Sequence, residues 1–143
     1  MIRNVCAVLI GLIGGMAVNM AIVTLNILIY PMPEGVDFGD AEGMAAYIAT
    51  LPLVAMLIVL LAHLGQAFAG GWLAARISKN RSMVVAMIVG VLTLIAGLIN
   101  MMSMPHPNWM WIEMPLYLVA AWAAAKIELK RRHRLPSTDP QIS

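Results

Sequence analysis

The side chain best suited to chemistry within the apolar part of this sequence is a histidine. His63 lies near the middle of a long apolar run, and Gln66, three residues later, falls on the same face of a helix. Polar and ionisable residues inside membrane-spanning segments are functional candidates, because burying them in lipid is costly. Other apolar runs contribute asparagines, so the candidate intramembrane polar or proton site comprises His63, Gln66, Asn19, Asn26 and Asn100.

Two interpretations of His63 follow from this setting. In the functional one, the imidazole carries protons or is the axial ligand of a haem or chlorophyll-type ring, for which the small neighbours Ala62, Gly65 and Ala69 leave space. In the structural one, a neutral imidazole hydrogen-bonds to an asparagine of a neighbouring helix. The sequence does not require a cofactor, and the ring remains a hypothesis for His63 alone.

A second group of candidates lies where the third apolar run gives way to the fourth. Met101, Met102, Met104 and His106 follow one another closely, and thioether sulfur with imidazole suits Cu(I). The alternative is that these methionines fill irregular apolar gaps, as methionine commonly does. Glu113 is a candidate proton or cation site with His106 on the outer face, and we expect it to reach the surface or to pair with His106.

The sequence contains no signal typical of an enzyme. It has no nucleophile–base pair, no phosphate-binding loop and no cysteine–histidine zinc pattern. The acidic stretch between Glu34 and Glu42 does not have the spacing of an EF-hand. Asp40 is instead expected to cap a short helix that leads to Tyr47. These features argue against catalysis.

The composition indicates a membrane protein. The chain has 143 residues, of which 62% are hydrophobic and 11% are charged. Soluble domains are usually about 45–50% apolar and about 25% charged. A soluble fold of this size buries only part of its surface, so it could not hide so much apolar area. We therefore expect lipid to surround most of the chain.

Hydropathy predicts an all-α fold, an integral membrane bundle of four transmembrane helices. The predicted spans cover residues 5–30, 47–75, 82–103 and 108–125, each close to the roughly 20 residues that cross a bilayer. Residues 1–130 are expected to form the bundle. Residues 131–143 are expected to form a basic and then disordered cytoplasmic tail.

The distribution of positive charge predicts the orientation of the spans. All nine Lys and Arg residues fall at the ends or hinges on one side of the predicted bundle: Arg3, Arg76, Lys79, Arg81, Lys126, Lys130, Arg131, Arg132 and Arg134. The longer of the two opposite loops is acidic. Positive residues remain in the cytoplasm, so both termini are expected to be cytoplasmic. The basic residues are thereby explained without a nucleic acid partner.

Three stretches resemble a known group of proteins. They are residues 31–38, residues 49–52, and residues 100–109 with the Pro-His-Pro-x-Trp turn from Pro105 to Trp109. In these the chain resembles an uncharacterised family of small bacterial four-helix integral membrane proteins. The resemblance implies the bacterial cytoplasmic (inner) membrane and four spans. It implies no activity and transfers no site residue.

The functional hypotheses are ordered by what the sequence offers. The first is a non-catalytic accessory or structural subunit that packs against a larger membrane complex, because the chain is small and carries several faces of small residues. The alternative is a small oligomeric transporter or channel with a polar route at His63 and Asn100. A third is a membrane redox protein or enzyme at His63 or His106. The expected partners are the lipid bilayer and a membrane protein or further copies of this chain.

Overall fold

The computed structural model describes residues 1–104 and 106–134, and this part of the chain is helical throughout apart from its connections. Five α-helices follow one another: α1 (Ile2–Ile29), α2 (Ala41–Thr50), α3 (Leu53–Ile77), α4 (Ser82–Ser103) and α5 (Glu113–Arg134). A 3₁₀-helix, Asn108–Ile112, directly precedes α5. The predicted disordered stretch 135–143 lies outside the described residues.

Three of the helices are long and apolar enough to cross a membrane. They are α1, α3 and α4, of 28, 25 and 22 residues. Large apolar side chains are exposed along all three, such as Ile13 on α1, Leu61 on α3 and Ile99 on α4. Exposed apolar surface of this extent fits contact with lipid chains. The predicted all-helical fold is confirmed for the described residues, and the three long apolar helices support the predicted membrane location.

The second predicted span is wrong at its beginning. Residues 47–75 were expected to form one helix, but the chain breaks at Leu51 and Pro52, and α2 is a separate helix from α3. Proline has no N–H to donate and its ring disfavours the helical conformation of the preceding residue, so Leu51 is extended. The predicted cap of α2 is confirmed, because the Asp40 side chain accepts a hydrogen bond from the Gly43 amide at 2.9 Å.

The fourth predicted segment also differs from a single uniform helix. Residues 108–112 form the 3₁₀-helix, and α5 then continues well past residue 125 to Arg134. The basic residues at 131, 132 and 134, expected in a tail, therefore belong to the last turns of α5. Cations are favourable there because they lie near the negative end of the helix dipole.

Helix α3 lies at the centre of the bundle and packs against α1, α4 and α5. Glycine permits the closest approaches. A Cβ at Gly11 would lie 2.6 Å from the Gly70 carbonyl oxygen, and a Cβ at Gly70 would lie 2.7 Å from the Gly11 carbonyl oxygen. A Cβ at Gly71 would lie 3.2 Å from the Ala121 backbone. Small residues thus let helix backbones meet, as expected in membrane bundles.

One end of the bundle, here called the basic end, joins residues 1–4, 76–81 and 126–134. The Ser78 hydroxyl donates to Asn4 at 3.0 Å, which ties the start of α1 to the end of α3. The Arg132 guanidinium donates to the Ala75 and Arg76 carbonyls at 2.7 and 2.9 Å, and so caps the end of α3. The opposite end, here called the loop end, contains residues 30–52, 104 and 106–112. There the Tyr47 hydroxyl donates to the Tyr30 carbonyl.

Candidate functional site

Two adjoining cavities lie inside the bundle. The loop-side cavity, of about 270 Å³, is bounded by α1, α3 and α4 and covered by residues from the 30–40 connection and from α2. The central cavity, of about 180 Å³, lies deeper and is bounded by α1, α3, α4 and α5. Asn19, His63 and Asn100 line both cavities and therefore stand at the boundary between them.

These cavities gather the intramembrane residues singled out from the sequence. Asn26 lines the loop-side cavity, and Gln66 lines the central one, in addition to the three boundary residues. The five residues come from α1, α3 and α4. They line two adjoining cavities within otherwise apolar surroundings, and together they are here called the polar region.

The structure pairs His63 with Glu113. The His63 Nδ1 atom lies 3.0 Å from the Glu113 Oε2 atom, and the glutamate side chain is 0% exposed. The second carboxyl oxygen, Oε1, accepts a hydrogen bond of 3.2 Å from the Tyr117 hydroxyl. Both carboxyl oxygens are thus occupied, as a buried carboxylate requires.

The expectation for Glu113 is therefore wrong. This side chain neither reaches the surface nor pairs with His106, whose Nδ1 atom lies 2.9 Å from the Met104 carbonyl oxygen. The orientation of α5 about its own axis explains the difference. Glu113 is the first residue of α5 and lies on the face that packs against α3, so its carboxylate contacts His63. Gly97 leaves room for this packing of α5, because the Tyr117 ring occupies the space where a Cβ on Gly97 would lie.

The pairing fixes what His63 presents to the cavities. With Glu113 ionised, Nδ1 carries the proton and donates it, which leaves Nε2 as a hydrogen-bond acceptor. Within the described residues Nε2 has no hydrogen-bond partner. A proton that reaches Nε2 would form an imidazolium beside the carboxylate, and the pair would change from net negative to neutral. The arrangement can therefore accept and release one proton inside the bundle.

Two further polar atoms in this region are unsatisfied. Within the described part of the chain, the Oδ1 atoms of Asn19 and Asn26 are buried and accept no hydrogen bond. Leaving a buried acceptor without a hydrogen bond costs about 1–3 kcal/mol of folding free energy, so such atoms usually have a hydrogen-bond partner. Asn26 is 3% exposed and lines the loop-side cavity. Rotation of each amide about its Cβ–Cγ bond exchanges its oxygen and its nitrogen, which would turn the oxygen towards the cavity that the residue lines.

The basic end is closed off from the cavities by tight packing. Ala74, Val85 and Val89 form a buried apolar cluster, against which Val8 and Leu12 pack. The close Gly11–Gly70 contact lies at the same level, about one turn below the Gln66 end of the central cavity. The polar region therefore approaches the loop end and meets an apolar barrier towards the basic end.

The four residues of the predicted copper site do not form one cluster. Met101 is buried with Met56 and Met110, whereas Met102 is 76% exposed. Adjacent residues on a helix point in different directions, so Met101 and Met102 cannot share a small site. Met104 and His106 do line the loop-side cavity. Copper binding and the haem or chlorophyll-type ring at His63 stay predictions.

Tyr117 is the site residue that sequence reasoning missed. It is 1% exposed, donates to Glu113 and stacks near His63 with ring centroids 6.5 Å apart. Its position four residues after Glu113, on the same face of a helix, was the available signal.

Comparisons do not assign this site to a known protein. No family model, curated protein or solved structure matches the chain. The resemblance to small bacterial four-helix membrane proteins thus stays a prediction, and the functional argument rests on the His63–Glu113–Tyr117 group and its two cavities.

Proposed function

We propose that the protein is a small proton-linked membrane transporter. In this proposal a substrate enters the loop-side cavity, and the His63–Glu113 pair at its inner boundary takes up or releases a proton. The observation that carries the proposal is the position of His63: its ring lines both cavities while Nδ1 contacts the fully buried Glu113 carboxylate at 3.0 Å. Intramembrane ionisable pairs of this kind are typical of proton relays.

A transporter is favoured over an open channel by the asymmetry of the polar region. The cavities extend towards the loop end, while Ala74, Val85 and Val89 close the way to the basic end. A channel needs a continuous polar path. A transporter needs a site that is accessible from one side at a time, which fits a cavity with one closed end.

The accessory-subunit hypothesis was based on helix faces of small residues that were available to contact a partner protein. Much of that small-residue surface serves the contacts within the chain: Gly11 and Gly70 pack α1 on α3, and Gly90 packs α4 on Ala121 of α5. Exposed apolar side chains remain, but lipid covers such surface equally well. The polar site therefore favours transport, and association with a larger complex stays a prediction.

We propose that residues 108–134 supply a fourth span, which gives an N-in, C-in protein of the bacterial inner membrane. The 3₁₀-helix rises about 2.0 Å per residue, and α5 rises about 1.5 Å per residue. Together residues 108–125 cover about 30 Å, close to the hydrocarbon thickness. The described lysines and arginines lie at the basic end, which supports its placement in the cytoplasm.

The test measures proton flux in liposomes that contain the purified protein and an internal pH dye. A pH gradient drives proton entry, and the assay is run without added solute and with a panel of small amines, carboxylic acids and sugars inside the liposomes. The panel is needed because a coupled transporter moves protons only together with, or in exchange for, its substrate. We expect uptake above that of protein-free liposomes and a decrease of at least about tenfold in Glu113→Gln and in His63→Gln, because either change removes the protonatable pair.

Matched substitutions at exposed positions are the controls. His133→Gln and Glu42→Gln make the same chemical changes away from the site, and both should retain wild-type flux. Size-exclusion chromatography establishes that each variant is folded. Folded Glu113→Gln and His63→Gln proteins with unchanged flux, or a wild-type protein no faster than empty liposomes, would rule the proposal out.

A further inference from the structure

The loop-side cavity combines an apolar wall with a polar inner boundary. Its wall includes Met44 and Met56, which are buried, and the rings of Phe38 and Tyr47. Its volume of about 270 Å³ lies near the lower end of the range for small-molecule pockets, about 300–1,000 Å³. These dimensions suit a compact ligand with about one ring and a single polar group.

The polar groups at the inner boundary include acceptors without a partner. His63 offers Nε2, and the Asn19 and Asn26 Oδ1 atoms accept no hydrogen bond within the described residues. In the part of the chain that the structure describes, no lysine or arginine lines either cavity. The asparagine amides also carry N–H donors, and rotation of an amide exchanges its oxygen and its nitrogen, so the charge behind these groups decides the class of ligand.

The charge behind the acceptors is negative. Glu113 is buried against His63 and Tyr117, and among the described residues it forms no ion pair with a lysine or arginine, so its charge is not neutralised when Nδ1 donates as a neutral imidazole. The ionisable side chains that face this region are His63 from α3, Glu113 and Tyr117 from α5, Tyr47 from α2, and His106 from the turn. Helices α1 and α4 contribute the uncharged Asn19, Asn26 and Asn100.

We infer that the loop-side cavity binds small organic ammonium ions, namely protonated amines with a compact apolar body. The ammonium group donates to His63 and the asparagine oxygens, and the apolar body lies against the methionines and aromatic rings. This inference rests on the proposed function and names its substrate class. A protonated His63 would place a second positive charge beside the ammonium group, so proton and amine compete for the site.

Competition gives a balanced exchange. When the amine cation enters and one proton leaves His63, the net charge of the site with its occupant stays the same. The Glu113 carboxylate thus has a positive charge near it both before and after the exchange, which offsets the cost of a charge in the low-dielectric interior. The same pair that would relay protons would thus couple proton release to amine uptake.

Isothermal titration calorimetry of the full chain in detergent tests the inference with benzylammonium and its neutral analogue benzyl alcohol. We expect saturable binding of benzylammonium and at least about tenfold weaker binding of benzyl alcohol. Affinity should fall as the pH is lowered, because protons compete with the amine, and buffers of different ionisation enthalpy should reveal proton release.

Glu113→Gln should reduce benzylammonium affinity to that of the alcohol, while Glu42→Gln should bind like the wild type. If Glu113→Gln does not fold, Asn26→Leu provides a second variant, since it keeps the pair and removes one acceptor. It should weaken the ammonium selectively. Equal affinities for the two probes in the wild type, or unchanged ammonium selectivity in the folded variants, would overturn the inference.

The outcomes also separate this inference from the proposed function. Proton flux that depends on Glu113, without benzylammonium binding, would refute the substrate class and leave the transporter proposal standing. Selective benzylammonium binding without any Glu113-dependent proton flux would refute transport and leave the binding site standing.

Discussion

Two buried glutamates show how the same residue type acquires opposite properties from its partners. Glu113 faces a histidine and a tyrosine, so its pair can change net charge by binding one proton. Glu128, also fully buried, accepts two hydrogen bonds from Arg131 at 2.7 and 2.9 Å and one from Arg132 at 3.0 Å. Arginine is permanently protonated, so the Glu128 cluster has a fixed charge and a structural role.

The Glu128 cluster gives a prediction about acid. The hydrogen bonds from Arg131 and Arg132 lower the pKa of Glu128 from 4.5 to about 2. A carboxyl whose folded-state pKa is lowered stabilises the fold above its unfolded pKa and loses that contribution as pH falls towards the folded pKa. We expect this stabilisation to be complete above about pH 5 and to disappear between about pH 4.5 and pH 2.

Denaturant unfolding of the wild type and Glu128→Gln, followed by circular dichroism in detergent, measures this effect. The variant should be less stable by about 1–2 kcal/mol at neutral pH, and the difference should shrink as the pH falls. Glu42→Gln, at an exposed position, should cost little. A difference between wild type and Glu128→Gln that is constant from pH 7 to about pH 3 would contradict the assignment.

At the scale of the elements, the contact between α1 and α3 is the most extensive one between the described helices. Gly11 and Gly70 meet backbone to backbone, and Gly15 lies against the Gln66 carbonyl. Asn19 lies about one turn after Gly15, and His63 lies about one turn before Gln66. The contact between α1 and α3 therefore holds Asn19 beside His63 on the side of the loop end. Its geometry therefore determines the boundary between the two cavities.

Alanine at Gly70 should force these helices apart. Its Cβ would lie 2.7 Å from the Gly11 carbonyl oxygen, which is part of a helix backbone and cannot move alone. We expect a loss of about 1–3 kcal/mol in unfolding free energy, the usual cost of overpacking. Gly65→Ala is the matched control on the same helix, because its nearest neighbours, Ile22 and Val18, would be 3.5 and 3.6 Å away.

The control should be neutral or stabilising, because alanine favours the helix by up to about 1 kcal/mol over glycine. Thermal unfolding of the two variants side by side provides the measurement. Equal stabilities for Gly70→Ala and Gly65→Ala would mean that the α1–α3 contact is looser than described.

At the scale of the whole molecule, charge separates the two ends of the bundle. The basic end brings together the start of α1, the α3–α4 hinge and the end of α5, and Arg76 and Lys126 lie over the rings of Trp72 and Trp122 at 5.1 and 5.4 Å. Tryptophan and basic residues commonly mark the boundary between lipid and water. The loop end instead carries the acidic stretch between Glu34 and Glu42.

Cysteine labelling tests the proposed four spans and their orientation. In a Cys6→Ser background, Glu34→Cys, Asn80→Cys and His133→Cys each introduce one exposed thiol. A membrane-impermeant maleimide should label position 34 in intact spheroplasts, and positions 80 and 133 only after permeabilisation. Labelling of position 133 in intact spheroplasts would show that residues 108–134 do not cross the membrane as proposed.

The amino-acid sequence by itself indicated that lipid surrounds this protein, and it identified most of the polar residues that line the cavities. Hydropathy predicted the membrane location, and residue type alone marked His63, Gln66 and the asparagines, because polar groups are rare and costly in lipid. Local rules also succeeded at Asp40, where the cap depends only on residues three positions apart. They were misapplied at Pro52, where proline ended a helix rather than entering its first turn.

Only the tertiary structure determined which side chains contact one another. His63 and Glu113 are fifty positions apart, and their contact depends on how α3 and α5 are rotated about their axes. Periodicity defines a face of one helix but not which neighbour covers it. That choice follows from the close approaches at Gly71 and Gly97, where α5 packs against α3 and α4. The same rotation takes Glu113 away from the surface, turning an expected boundary residue into the buried carboxylate of the site.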